Sequence, residues 1–106
     1  MISISSGLLQ AQEIIISGKI LHANSQNVIG GVSVRLEDRF TEASTNTEGI
    51  FILSFTDLEM GNYILNISKL GFQSLRLPIL IDRSTLDLGV ITLTPDIAEQ
   101  QAQLGS

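Results

Sequence analysis

The feature that most constrains the fold of this chain is a regular punctuation. Between Glu13 and Thr94, short runs rich in Ile, Leu, Val and Phe are interrupted by Gly, Asn, Asp and Ser at intervals of about 8 to 12 residues. No run in this stretch repeats its apolar positions with the 3.6-residue period of an amphipathic helix. Strands this short and evenly spaced bury one face each by stacking two sheets, whereas βαβ units would need helical segments between them. The expectation is an all-β chain, a seven-strand Greek-key β-sandwich.

The individual runs fit that expectation. Ile14 to His22 opens the series, with Ile14, Ile16 and Ile20 on one face and Gly18 between them, where a bulge or a close contact is expected. Ala23 to Asn27 makes the first turn. Val32, Val34 and Leu36 alternate with Ser33, Arg35 and Glu37, the pattern of a strand with one face in the core and one in water. A weaker run, Phe40 to Thr45, closes at Asn46-Thr47-Glu48-Gly49, where Gly supplies the positive φ of a tight turn. Phe51, Leu53 and Phe55 share a face. After the Asp57 to Gly61 connection, so do Tyr63, Leu65 and Ile67, until Gly71 breaks the pattern. Leu75, Leu77, Ile79 and Ile81 form a further face. Pro78 lies within that run and cannot donate to a ladder, which assigns the strand to a sheet edge or a bend. The last strand spans Leu86 to Leu93.

Size and charge bound the function. A chain of 106 residues, 43% hydrophobic and 16% charged, supports one domain with one modest core. Six Lys and Arg face 11 Asp and Glu, a net charge of -5, and the acids are scattered from Glu13 to Glu99. A phosphate-binding face needs the opposite balance, so nucleic acid is not expected as a partner. With no cysteine, neither a disulfide framework nor a thiolate metal cluster can form, and the core holds by packing alone.

The ends differ from the middle. Residues 1–12 are uncharged, and Leu9-Gln10-Ala11 fits the end of a secretory signal peptide cleaved after Ala11 as well as it fits a plain N-terminal extension. No stretch reaches the roughly 20 apolar residues of a membrane-spanning helix, so direct membrane insertion is not expected. Pro95 and Asp96 would suit a first helical turn, yet residues 95–106 are too few to hold a helix without packing and read as a tail or linker. The sandwich is thereby assigned to residues 13–94.

Four blocks carry a family resemblance. Gly18-Lys19-Ile20, Ile29-Gly30-Gly31-Val32-Ser33-Val34, Thr45-Asn46-Thr47-Glu48-Gly49-Ile50-Phe51, and Gly61 to Phe72 with Tyr63 and Gly71, resemble in order and spacing the successive signatures of the carboxypeptidase regulatory-like domain. The resemblance covers Glu13 to about Leu93. Val28 stands where the family usually has Pro, and Phe72 where it usually has Tyr; both departures keep apolar character. It implies a transthyretin-like (prealbumin-like) sandwich; its matched positions are scaffold and say little about a site, and from the residue inventory no catalytic, metal or cofactor site is expected. The physical reading of the same positions agrees. Gly31 and Gly49 would sit where the backbone turns into a strand, Phe51 and Tyr63 would fill the space between sheets, and Gly71 would permit a turn.

Such domains occur behind the peptidase domain of some zinc carboxypeptidases and as N-terminal periplasmic extensions of TonB-dependent outer-membrane receptors of Bacteroidetes-type bacteria. The close Leu86-Asp87-Leu88-Gly89-Val90-Ile91-Thr92-Leu93-Thr94, followed by a Gln-rich acidic stretch, is similar to the second setting, which implies export to the periplasm or outer membrane. A regulatory or folding-support domain of a zinc carboxypeptidase is the alternative, and a carbohydrate-binding sandwich a third.

The residue inventory bears on each class. His22 is the only histidine, so a zinc peptidase site has no ligand set, and a strand-end structural role is the simpler reading of it. No Gly-x-Ser-x-Gly elbow supports nucleophilic catalysis. A glycan face would use exposed rings; there is no Trp, one Tyr and four Phe, of which only Phe40 falls off the core pattern. Lys19 and Asp87 fall on the first and last strands, as an internal isopeptide would require, but both alternate onto the polar face and read as solvated charges. Asn66-Ile67-Ser68 spells a glycosylation acceptor inside a strand and reads as chance. The preferred partner is a protein or neighbouring domain, docked by backbone pairing along the Pro78 strand or the Leu86 to Leu93 strand, and a passive spacer between neighbouring domains is the alternative.

Overall fold

The computed structural model describes residues 13–96 as seven strands. These are β1 (Ile14–His22), β2 (Ser33–Leu36), β3 (Glu42–Ser44), β4 (Ile50–Phe55), β5 (Gly61–Ser68), β6 (Leu75–Ile81) and β7 (Thr85–Leu93). They form a three-stranded sheet in the order β4-β1-β7 and a four-stranded sheet in the order β3-β2-β5-β6. The chain crosses between sheets after β1, β3, β4 and β6, which makes the expected Greek-key sandwich. The expectations for residues 1–12 and for most of the 95–106 tail lie outside the described residues.

Alternation builds the core. Ile14, Ile16 and Ile20 from β1, Val34 and Leu36 from β2, Phe51, Leu53 and Phe55 from β4, and Leu65 and Ile67 from β5 all point inward and are buried. Each strand thus removes every second side chain from water and leaves the others outside. Tyr63 is only half-buried: its ring packs against the core while its hydroxyl donates to the Glu59 carbonyl at 2.6 Å, pinning the β4–β5 connection. Leu58 in that connection and Ile29 ahead of β2 are also buried, although neither belongs to a strand.

Of the two alternatives expected at Gly18, the close contact is made there, with the Phe51 ring, while the bulge lies opposite it in β7. β1 and β7 run parallel, and Ser17 pairs with Asp87 while Lys19 pairs with Val90. One residue of β1 therefore faces two of β7, and the bulged residues are Leu88 and Gly89, the latter at φ +73°. The bulge resets the phase of β7. Leu86 and Leu88 pack on the core before it, and Ile91 and Leu93 are buried after it. Without the extra residue, Val90 and Thr92 would point inward.

The turns are built from side chains that substitute for missing backbone partners. Asn46 Oδ1 accepts from the backbone of Glu48 at 2.9 Å and of Ile50 at 3.0 Å, closing the turn into β4. Gly31, Gly49 and Gly71 all have positive φ, as expected for chain reversals at these points. Thr45 is the one buried polar residue among those described. Its hydroxyl donates to Ile29 O at 2.7 Å and accepts from Val32 N–H at 2.9 Å, tying the loop ahead of β2 to the end of β3. Past β7, Gln73 N–H donates to Thr94 O and Asp96 N–H to Gly71 O, each at 2.9 Å, so pairing continues to Asp96.

Candidate interaction surface

Two open sheets leave four outer strands: β4 and β7 in one, β3 and β6 in the other. The two edges named from the sequence are both real. Pro78 lies in β6 opposite Ile64, within a register that runs unbroken from Gly61 with Ile81 to Ile67 with Leu75. A strand with a partner on both sides would lose a ladder bond there; an edge strand does not have to. β7 is the other edge, and its bulge interrupts a flat run of backbone donors.

The outward faces of the sheets differ. On the four-stranded sheet, Ser33, Arg35, Glu42, Asn66 and Arg76 lie side by side across the strands. Arg76 donates to both carboxylate oxygens of Glu37, at 2.8 and 3.1 Å, and Ser33 Oγ is bonded to Glu42. The hydrogen bond from Arg76, then its charge, holds the Glu37 carboxyl below the ordinary glutamate range. On the three-stranded sheet the outward positions mix aliphatic residues with Ser, Thr, Lys19 and Asp87, and Ile52 and Val90 are both more than half exposed.

The residues singled out from the sequence are dispersed. His22 ends β1; its Nδ1 accepts from the backbone of Asn24 at 3.1 Å and of Ser25 at 3.3 Å, and its ring meets Phe72 edge-on with centroids 5.5 Å apart. It caps a turn and closes one end of the sandwich. Phe40 projects wholly into solvent from the β2–β3 loop, with Asp38 nearby in that loop at φ +70°. Phe51 and Phe55 are buried, so Phe40 has no second ring beside it on its strand or loop. Lys19 and Asp87 lie exposed on neighbouring strands of the same outward face, and Asp87 Oδ1 accepts from Gly89 N–H at 2.9 Å. Among the described residues, no three His, Asp or Glu side chains gather as a metal site would require.

The four sequence blocks meet as scaffold. A Cβ on Gly30 would stand 2.9 Å from the Asn46 carbonyl, so the Ile29-Gly30-Gly31 segment packs directly on the Asn46 turn, while Thr45 bonds to both sides of it. A family model, the CarboxypepD_reg-like domain, matches residues 16–102. The chain belongs to the CarboxypepD_reg-like domain family. No curated protein sequence matches it significantly.

Among solved structures, this CarboxypepD_reg-like domain is similar to a chain of a type II cohesin–X–dockerin complex from Acetivibrio cellulolyticus, at 20% identity with a TM-score of 0.63, covering 76% of this chain and 56% of that one. It is also similar to the pilus 2b backbone protein of group B streptococcus (16% identity, TM-score 0.56, 87% and 43% covered). A third is chlorocatechol 1,2-dioxygenase from Pseudomonas putida (12% identity, TM-score 0.53, 80% and 59% covered). The chain spans little more than half the length of the cohesin–dockerin chain it matches. At these identities the likeness establishes the sandwich, and one fold serves here in assemblies, in a pilus and in an enzyme.

Proposed function

We propose that this CarboxypepD_reg-like domain is a non-catalytic accessory module that binds a protein partner by strand-edge pairing. We place it in the periplasm, as the N-terminal extension of an outer-membrane TonB-dependent transporter or as a stand-alone relative of one. The observation that carries the docking reading is the open architecture: β6 and β7 each end a sheet without a neighbour among the described residues. An extended segment of a partner can add there as one more strand, with backbone bonds supplying affinity and outward side chains such as Leu80 supplying choice. The occurrence of a similar sandwich in a cohesin–X–dockerin complex supports use of this fold in protein assembly. The transporter setting rests on the resemblance of the Leu86 to Thr94 close to the end of such extensions.

The coding context tests the setting. A reading frame that continues into a long series of alternating strands typical of a barrel upholds the transporter extension; one that ends close to Ser106 refutes the extension in favour of the stand-alone form, and one that runs on from a zinc peptidase refutes both. The docking mode is tested with Leu80→Pro, which removes a second donor from the β6 edge. The expected result is loss of a purified partner with an unchanged melting temperature, and retention of the partner sinks the edge as its site.

A further inference from the structure

We propose that the outer face of the β4-β1-β7 sheet is a self-association surface, on which a second copy of this chain docks face to face. This uses a sheet face rather than an edge, and stands apart from the docking mode above.

A sheet face left in water is normally polar, as the β3-β2-β5 part of the four-stranded sheet is, with Ser33, Arg35, Glu42 and Asn66 outward. The opposite face departs from that rule. β1 is aliphatic on its inner side, where Ile14, Ile16 and Ile20 point to the core, and mixed on its outer side, where Ile15 and Leu21 flank Ser17 and Lys19. Ile50 and Ile52 of β4, Val28 bridged to Leu21, and Val90 of β7 extend the outward patch, with Ile52 61%, Val90 59% and Val28 42% exposed. Exposed aliphatic side chains grouped on one face mark an interface, and here they surround a single pair of charged residues, Lys19 and Asp87.

The charges identify the occupant. A protein of net charge -5 repels its own copies, so self-association requires a face where acids are sparse. Among the described carboxylates, Asp87 alone projects from the middle of this face, with Glu13 at its rim beside Ser54. One cation, Lys19, stands one row away from Asp87, since Lys19 pairs with Val90 and Ser17 with Asp87. Neither Lys19 nor Asp87 has a salt bridge within the described residues. One plus and one minus, offset by a single row, make a self-complementary pattern. A two-fold axis lying between the two faces and crossing the strands between the Ser17 and Lys19 rows brings Lys19 of each copy to the row that holds Asp87 of the other, and sets Ile50 over Ile52. Three strands about 4.8 Å apart, two of nine residues and one of six, cover roughly 400 Å² per copy, the footprint of a transient dimer rather than an obligate one.

Sedimentation velocity across a concentration series tests the proposal, with Lys19→Asp, Asp87→Lys, the double exchange and Ile52→Asp, each checked for an unchanged circular dichroism spectrum. The expected result is a concentration-dependent dimer, weakened about tenfold by either single exchange, restored by the double exchange, and abolished by Ile52→Asp. A chain that stays monomeric up to about 1 mM overturns the proposal. So does a dimer indifferent to these four variants and lost on Leu80→Pro, a result that would instead locate self-association at the β6 edge and leave the edge-docking reading intact.

Discussion

Gly18 lies directly beneath the Phe51 ring: a Cβ built on Gly18 would stand 2.7 Å from Phe51 Cε2 and 2.9 Å from Cζ. The largest fully buried side chain of the sandwich thus occupies the space that a glycine in the neighbouring strand leaves open, across a ladder that pairs these two residues. The glycine is there for the ring.

Gly18→Ala should therefore destabilise the domain by about 1–3 kcal/mol through overpacking. Phe51→Leu alone should also cost stability, by loss of buried volume. The double variant should be more stable than the sum of the two predicts, because the shorter side chain makes room for the new methyl group. Urea denaturation of the four proteins checks this, and strict additivity would show that the ring moves aside freely.

Thr45 provides a second test. Thr45→Val keeps the shape but leaves the buried Val32 N–H and Ile29 carbonyl without their partner, a loss of about 1–3 kcal/mol. Thr45→Ser keeps both bonds and gives up one methyl group, costing about 1 kcal/mol. Chemical denaturation should rank the valine variant below the serine variant; the reverse order would mean that packing of the methyl group outweighs the hydroxyl.

Two glycines with nearly the same backbone angle should respond differently to alanine. Gly89 has φ +73° and nothing within 4 Å of a built Cβ, so Gly89→Ala costs only the left-handed backbone penalty of about 1–2 kcal/mol. Gly49 has φ +79°, and its Cβ would meet the Ile20 carbonyl at 2.8 Å, so Gly49→Ala adds a clash with backbone that cannot rotate away. The Gly49 variant should melt at the lower temperature.

The Glu37–Arg76 pair makes stability depend on pH. Glu37 titrates below its ordinary value of 4.5 in the folded protein, so the stability it contributes is fully present above that value and is lost as pH falls through the lower, folded value. Comparison of the protein with Arg76→Met should show a small stability difference at pH 7 that vanishes in acid. Both groups face solvent, so added salt should shrink it further. A difference that persists unchanged at pH 2 would show that Arg76 acts through its aliphatic stem instead.

Much of the sandwich was legible along the chain, because a strand with one wet face writes its orientation into every second residue. The boundaries of the first strand, the inward sets of β2, β4 and β5, the glycine turns and the edge position of Pro78 all follow from interactions a few residues apart. So did the scaffold character of the matched blocks, which is turn chemistry at Asn46 and close packing at Gly18 and Gly30. What the tertiary structure alone decided is everything that depends on residues distant in sequence. The parallel pairing of the first strand with the last, and the bulge that lets both Leu88 and Ile91 face inward, arise only when β1 and β7 are side by side. The burial of Leu58 and Ile29 outside any strand depends on which loops cover the sandwich ends. The aliphatic residues on the outer face of the β4-β1-β7 sheet are likewise brought together from three separate segments and one bridged loop residue. Periodicity reports which way a side chain points; only pairing reports what stands beside it.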